Sequence, residues 1–212
     1  MGIYQHLCYK VEDLFVKILA SKQEPGITRQ KVDAYRKRQF EEAVRKKQEQ
    51  EARLEDIRRK EEERQGRERQ EVLAILSQFM GMDHIDYTTY EFNEISKNKA
   101  FFKHLTDMVL DKGEKGLAFQ YCEFNKSSRQ QIRGYLIATS KKALFISTDG
   151  VFQQKFRYQT VQNVQWLQES LLEKKLYIQY GTKQLEFDKI YDLDQIKRVG
   201  NVILNLAREV RK

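Results

Sequence analysis

Three histidines and two cysteines bound the side-chain chemistry open to this sequence: His6, His84, His104, Cys8 and Cys122. A metal centre needs such groups at ligand spacing, and no histidine has a second His or Cys at that spacing. Asp83-His84-x-Asp86 offers donors for a metal, and a polar loop accounts for the same residues. His104 and Asp107 stand one helical turn apart, as a surface contact would. A thiolate nucleophile needs a base and a third group to orient it; nothing places that third group near either cysteine. A Gly-Lys phosphate loop and a Gly-x-Gly-x-x-Gly run are both missing. The expectation is a protein that is not an enzyme, with no cofactor and no metal.

Anion binding is the chemistry that the residue types favour. The run Asn125-Lys126-Ser127-Ser128-Arg129-Gln130-Gln131-Ile132-Arg133 gathers Lys126, Arg129 and Arg133 in and around a polar loop. Lys141 and Lys142 follow in an adjacent turn and extend the same basic field, or keep that turn soluble. Lys supplies a mobile point charge and Arg a bidentate fork for phosphate or carboxylate. Ordinary solvated surface has the same composition. Phe152, Phe156, Tyr158, Trp166, Tyr177 and Tyr180 interleave with Lys155, Arg157, Lys174 and Lys175. Such mixing suits a stacking surface for single-stranded nucleic acid, and sheet alternation generates it without any ligand.

The elements that must position these residues show first in the charge. The 212 residues carry 39 Lys+Arg against 31 Asp+Glu, net +8, with one proline. Residues 1–110 hold 21 basic and 20 acidic side chains, while residues 111–212 hold 18 and 11, so nearly all the net charge lies in the C-terminal half. A basic domain attracts nucleic acid, anionic headgroups or acidic protein surfaces. No apolar run reaches a membrane span's length, no secretory leader pattern opens the chain, and two distant cysteines build no disulfide framework. A cytoplasmic setting is expected, with peripheral membrane contact as the alternative.

Four segments follow. In 1–24, Leu7, Val11, Leu14, Phe15, Ile18 and Leu19 trace one helical stripe that Pro25-Gly26 ends. It fits a helix docked on protein, or one lying on a membrane. Residues 28–80 form a long charged arm. Within 29–71, 27 of 43 residues are charged, and six acid-to-base pairs stand at i,i+4: Glu41–Arg45, Glu42–Lys46, Glu49–Arg53, Glu55–Arg59, Asp56–Lys60 and Glu63–Arg67. Phe40–Val44 and Leu54–Ile57 are isolated apolar pairs, and nothing apolar stands between Arg58 and Glu71, so no continuous coiled coil is expected. A solvated helix that self-associates near Phe40–Ile57 fits better. In the connector 81–110, Phe101, Phe102, Leu105, Met108 and Val109 form a further stripe, expected to pack on the next domain or on its copy in another chain.

Residues 111–212 alternate with period two. Strands are expected at 117–124, 132–139, 143–147, 151–158, 161–168, 174–180 and 183–190, joined by short turns. A helix follows, with Asp192 and Gln195 as a capping box, Tyr191 and Ile196 as a hydrophobic staple, and Leu193, Ile196, Gly200, Ile203, Ala207 and Val210 as its apolar face. The run Arg133-Gly134-Tyr135-Leu136-Ile137-Ala138-Thr139-Ser140-Lys141-Lys142-Ala143-Leu144-Phe145-Ile146, preceded by Gly113-Glu114-Lys115, resembles the short bacterial pleckstrin-homology-like domain of Gram-positive and phage proteins. Tyr158-x-x-Val161-x-x-Val164 and Leu176-x-Ile178 extend the resemblance, which covers residues 105–212. It implies a seven-stranded antiparallel barrel or sandwich closed by a C-terminal helix, which with the N-terminal helices read above makes an α+β chain. The loop Asn125–Arg133 is similar to the basic loop with which some such domains grip headgroup phosphates. Trp166 falls in a strand, whereas eukaryotic members usually carry a tryptophan in the closing helix.

Three functional readings follow. The first is a non-enzymatic interaction or scaffold protein that binds a protein partner or itself, with the arm as spacer. The second is peripheral binding to anionic membrane through the first helix and the basic loop. The third, resting only on charge, is non-specific binding of nucleic acid.

Overall fold

In the computed structural model the described residues are 3–19, 25–81, 87–127, 130–168 and 173–211. The chain divides after Arg64 into two compact units.

The first unit is helical. Helix α1 runs Ile3–Leu19, and α2 runs Pro25–Met80, carrying its last turns into the second unit. Pro25 opens α2, where a missing N–H costs no helical hydrogen bond. Helix α1 meets α2 through Arg36, whose guanidinium donates to Asp13 Oδ1 at 3.1 Å and lies 4.9 Å from the centre of the Tyr9 ring. Of the expected charge pairs, Glu42–Lys46 closes at 3.9 Å and Asp56–Lys60 at 2.7 Å. Arg45 turns instead to Glu49 at 3.7 Å, and Arg59 to Asp56 at 2.6 Å. Acids lie both before and after these bases, so each exposed side chain has rival partners.

In the second unit, α3 (Thr89–Lys97) and α4 (Lys99–His104) are followed by a π turn at Leu105–Val109. Seven strands come next: β1 Gly116–Ser127, β2 Gln130–Thr139, β3 Ala143–Ser147, β4 Gln153–Phe156, β5 Val161–Gln168, β6 Lys174–Tyr180 and β7 Lys183–Ile190. Helix α5 (Leu193–Glu209) ends the series. The α+β class and the order of seven strands then a helix are those expected. All pairings are antiparallel, in the order β4-β3-β2-β1-β7-β6-β5. The sheet stays open between β4 and β5, and α5 packs on β5, on β1 and on the short turn Tyr158–Thr160 that links the open edges.

Two hydrophobic layers hold this unit. Inside the curved sheet, Phe124, Leu136, Phe145, Phe156, Leu176, Ile178 and Phe187 pack on Ile196, Val199 and Ile203 of α5. On the outer face, Phe119, Tyr135, Ile137, Leu144 and Ile146 meet Val72, Ile75, Leu76 and Phe79 of α2, Ile95 of α3, Phe102 of α4, and Leu105 and Val109 of the π turn. The connector therefore packs on the sheet of its own chain. Strand β3 is buried throughout because both its faces are covered.

Three local expectations are corrected. Met108, placed in the buried stripe, is 75% exposed. The π turn, closed by the Leu110 N–H on the Leu105 carbonyl at 3.0 Å, adds a residue to the turn and rotates Met108 outward. Asp192 does cap α5, accepting from the Gln195 N–H at 2.9 Å, but the Gln195 side chain leaves the box for other partners. Tyr191 is 65% exposed, so no staple forms with the buried Ile196. A helix that the sequence reading missed, α3, begins with a complete capping box between Thr88 and Glu91.

Candidate functional site

Strand β2 determines how the expected basic residues relate. At one end its hairpin with β1 pairs Ser127 with Gln130; at the other Gly116 meets Thr139. Lys126 belongs to the first end, and Lys141 and Lys142 lie just beyond the second. Ten strand residues separate the two ends, about 30 Å at the rise of a strand. The two turns therefore do not share one basic field. Arg129 lies outside the described residues.

Each described member of the set has its own surroundings. Lys126 is exposed, with Nζ 5.0 Å from the centre of the Phe152 ring, a cation–π contact. Arg133 Nε donates to Glu123 Oε1 at 2.7 Å, and this bond raises the pKa of the guanidinium. Lys141 Nζ donates to the Lys112 carbonyl at 3.3 Å. Lys142 is buried: Nζ donates to Asp111 Oδ2 and Glu114 Oε2, both at 2.7 Å. Burial alone lowers the pKa of Lys142, but the hydrogen bonds to the two carboxylates outweigh it and the net direction is upward. Thr139 Oγ1 bonds Glu114, and the Tyr158 hydroxyl donates to the Thr139 carbonyl at 2.6 Å. Lys142 thus braces the β2–β3 turn to the Asp111–Glu114 turn.

Other basic side chains of the C-terminal half are also ion-paired: Lys175 with Glu186 at 2.9 Å, Lys189 with Glu173 at 3.1 Å and Arg198 with Glu91 at 3.4 Å. The aromatic residues go largely to packing. Phe156 and Tyr158 are buried, and Trp166 lies against Gly200 of α5, where an added Cβ would come within 3.0 Å of the indole.

The sequence reading did not find a polar cleft of about 500 Å³ between α3 and the outer face of the sheet, lined by Tyr90, Glu94, Gln120, Tyr121, Lys189 and Tyr191. Several polar groups in and beside it bond one another. The Tyr90 hydroxyl accepts from the Tyr121 N–H at 2.9 Å and from Gln120 Nε2 at 3.0 Å, while the Tyr135 hydroxyl donates to Glu94 Oε2 at 3.0 Å. Burial pushes both phenols well above their ordinary range. Beside the cleft, Gln195 Nε2 donates to Glu91 Oε1 and to the Phe119 carbonyl, each at 2.8 Å, tying α5 to α3 and β1. The Thr88-x-x-Glu91 signature was the available sign of this helix and its cleft.

Among the described residues no cluster of His, Cys, Asp or Glu could hold a metal ion, and no helix is long and apolar enough to cross a membrane. Burial pushes the Cys122 thiol far up, away from the thiolate. His104 lines a second cleft of about 420 Å³ with Asp149 and Gly150, while Asp107 accepts from Gln78 Nε2 at 2.9 Å. The Asp83–Asp86 motif lies outside the described residues.

The most exposed apolar surface of the first unit belongs to its helices. On α1, Val11, Leu14, Phe15 and Ile18 are each more than half exposed; on α2, so are Phe40, Leu54 and Ile57.

No family model matches the chain, and no curated protein matches it. Among solved structures it is similar to the N-terminal PH domain of Vps36 at 15% identity, covering 49% of this chain and 86% of that one, with a TM-score of 0.40. It is similar to the pleckstrin homology domain of USP37 at 10% identity, covering 44% and 99%, TM-score 0.36. The C-terminal domain of an unknown protein from Leishmania infantum matches at 15% identity, covering 51% and 95%, TM-score 0.40.

Proposed function

We propose that this chain is a non-enzymatic interaction protein. In this reading a pleckstrin-homology-like domain, of the short type that the Arg133–Ile146 run resembles, carries a helical element that binds protein. The observation that supports it is the exposed apolar stripe Val11, Leu14, Phe15 and Ile18, which keeps its helical spacing while α1 uses Arg36 to meet α2. Large apolar side chains grouped on a surface mark an interaction site more often than idle surface. The polar face of α1 mixes Glu12 and Asp13 with Lys10 and Lys17, which suits a protein groove better than an anionic bilayer.

Affinity capture with the full chain, and with a chain carrying Leu14→Asp, Phe15→Asp and Ile18→Asp, tests this. Loss of the captured proteins from the triple variant, with the second unit still folded, is the expected result. An unchanged set of captured proteins contradicts it.

A second reading, peripheral membrane binding, is favoured by the same stripe together with the exposed Lys126. Co-sedimentation with neutral and anionic vesicles at two salt concentrations separates the two. Pelleting only with anionic vesicles, lost at high salt, favours the membrane.

A further inference from the structure

We infer that α2 pairs with the α2 of a second copy of this chain, antiparallel, about a two-fold axis beside Glu49. This rests on the interaction reading above and names one partner for it. Phe40 and Leu54 are each 67% exposed and Ile57 is 63% exposed. Positions 37, 40, 44, 47, 51, 54, 58 and 61 follow one another in alternating steps of three and four. At 3.6 residues per turn they stay within an arc of about 120°, the seam of a short left-handed coiled coil.

The occupants of that seam choose the partner. If position n of one helix faces position 98 − n of the other, Lys37 meets Glu61, Phe40 meets Arg58, Val44 meets Leu54 and Lys47 meets Glu51. By the two-fold each pair occurs twice. The four pairs are a salt bridge, a cation–π contact, an apolar contact and a second salt bridge. Ile57 flanks the seam. A parallel, in-register pair would set Lys37, Lys47, Glu51, Arg58 and Glu61 each against its own copy. The wider charge pattern agrees: residues 36–47 carry six basic and two acidic side chains, while the mirrored residues 51–62 carry four basic and five acidic. An antiparallel copy lays the strongly basic stretch on one whose charges nearly balance, net −1; a parallel copy lays it on itself. The apolar contact is short, so orientation comes mainly from charge.

The test uses the full chain with exposed Cys8 changed to Ser and buried Cys122 kept. Lys47→Cys and Glu51→Cys chains are oxidised separately and as an equal mixture. The antiparallel pair predicts disulfide-linked dimers in the mixture and few in either chain alone. Because a dimer of either variant lacks both Lys47–Glu51 seam salt bridges, and each chain its own 3.8 Å Lys47–Glu51 contact, a second measurement follows association by light scattering. Lys47→Glu is expected to weaken the dimer about tenfold, and adding Glu51→Lys to restore it, with helix content unchanged in circular dichroism. Self-linking of Lys47→Cys, failure of the double variant to restore the dimer, or a mass of 25.4 kDa at every concentration would overturn the pairing. In the last case, capture of another protein through the α1 stripe would leave the interaction reading standing.

Discussion

Lys142 Nζ spends its donors on Asp111 and Glu114, and the Glu114 side chain has no exposure at all. Replacing Lys142 with Met leaves Glu114 as an uncompensated buried charge, an expected loss of about 3–5 kcal/mol in chemical denaturation. Adding Glu114→Gln should recover much of that loss, because the remaining group is neutral. Asp188 behaves differently. Burial, with the charge of Glu123 close by, raises its pKa despite the hydrogen bond from Asn125, and its Oδ1 makes no hydrogen bond. Between the ordinary carboxylate value and the raised one, the folded state holds more protons than the unfolded state, so this group's contribution to stability falls as pH rises across that window. Asp188→Asn removes the titration. Its stability relative to the parent should grow with pH through the window and level off above it, read from denaturation midpoints at a series of pH values. Neither role was legible in the sequence. Lys142 was visible as a cation, but Glu114 is 28 residues away and only the fold brings the two together.

At the scale of elements, the outer layer of the second unit depends on close approach between α2 and β1. A Cβ added at Gly116 would lie 2.2 Å from Phe79 Cζ. Gly116→Val should therefore cost at least about 2 kcal/mol by overpacking, with part recovered when Phe79→Leu is added; thermal unfolding of the single and double variants measures the coupling. A chain beginning at Glu114 loses Phe79, Ile95, Phe102 and Leu105 from over Phe119, Tyr135, Ile137 and Leu144. It should be less soluble and melt lower than one beginning at Gln65. Equal solubility and melting would show that the outer layer contributes little. The strands, α1 and α5 could be read from periodicity and turn residues, and α2 from its helix-forming composition and its i,i+4 charge pairs. Helix α3 was missed because its apolar residues Tyr90, Phe92 and Ile95 sit among polar ones, leaving the capping box as the only strong local sign. The π turn was illegible for a different reason: nothing in Leu105–Val109 announces an extra residue per turn, so the ordinary helical period placed Met108 inside.

For the whole molecule, the two units differ in how they treat apolar side chains. The second buries them in two layers on either side of a sheet. The first leaves Leu14, Phe15, Ile18, Phe40, Leu54 and Ile57 in solvent. An interaction protein accounts for that contrast, since contact surface has to stay open until a partner arrives. The sequence displayed these residues as stripes and isolated pairs, yet it could not say whether the rest of the chain would cover them. Covalent footprinting of apolar side chains in the full chain, purified and dilute against concentrated source lysate, asks the question directly. Met108 and Val151, 75% and 84% exposed in the second unit, serve as internal controls. The account predicts that labelling of Leu14, Phe15, Ile18, Phe40, Leu54 and Ile57 falls in the lysate while the controls keep theirs; equal labelling of the helical residues in both samples would contradict it.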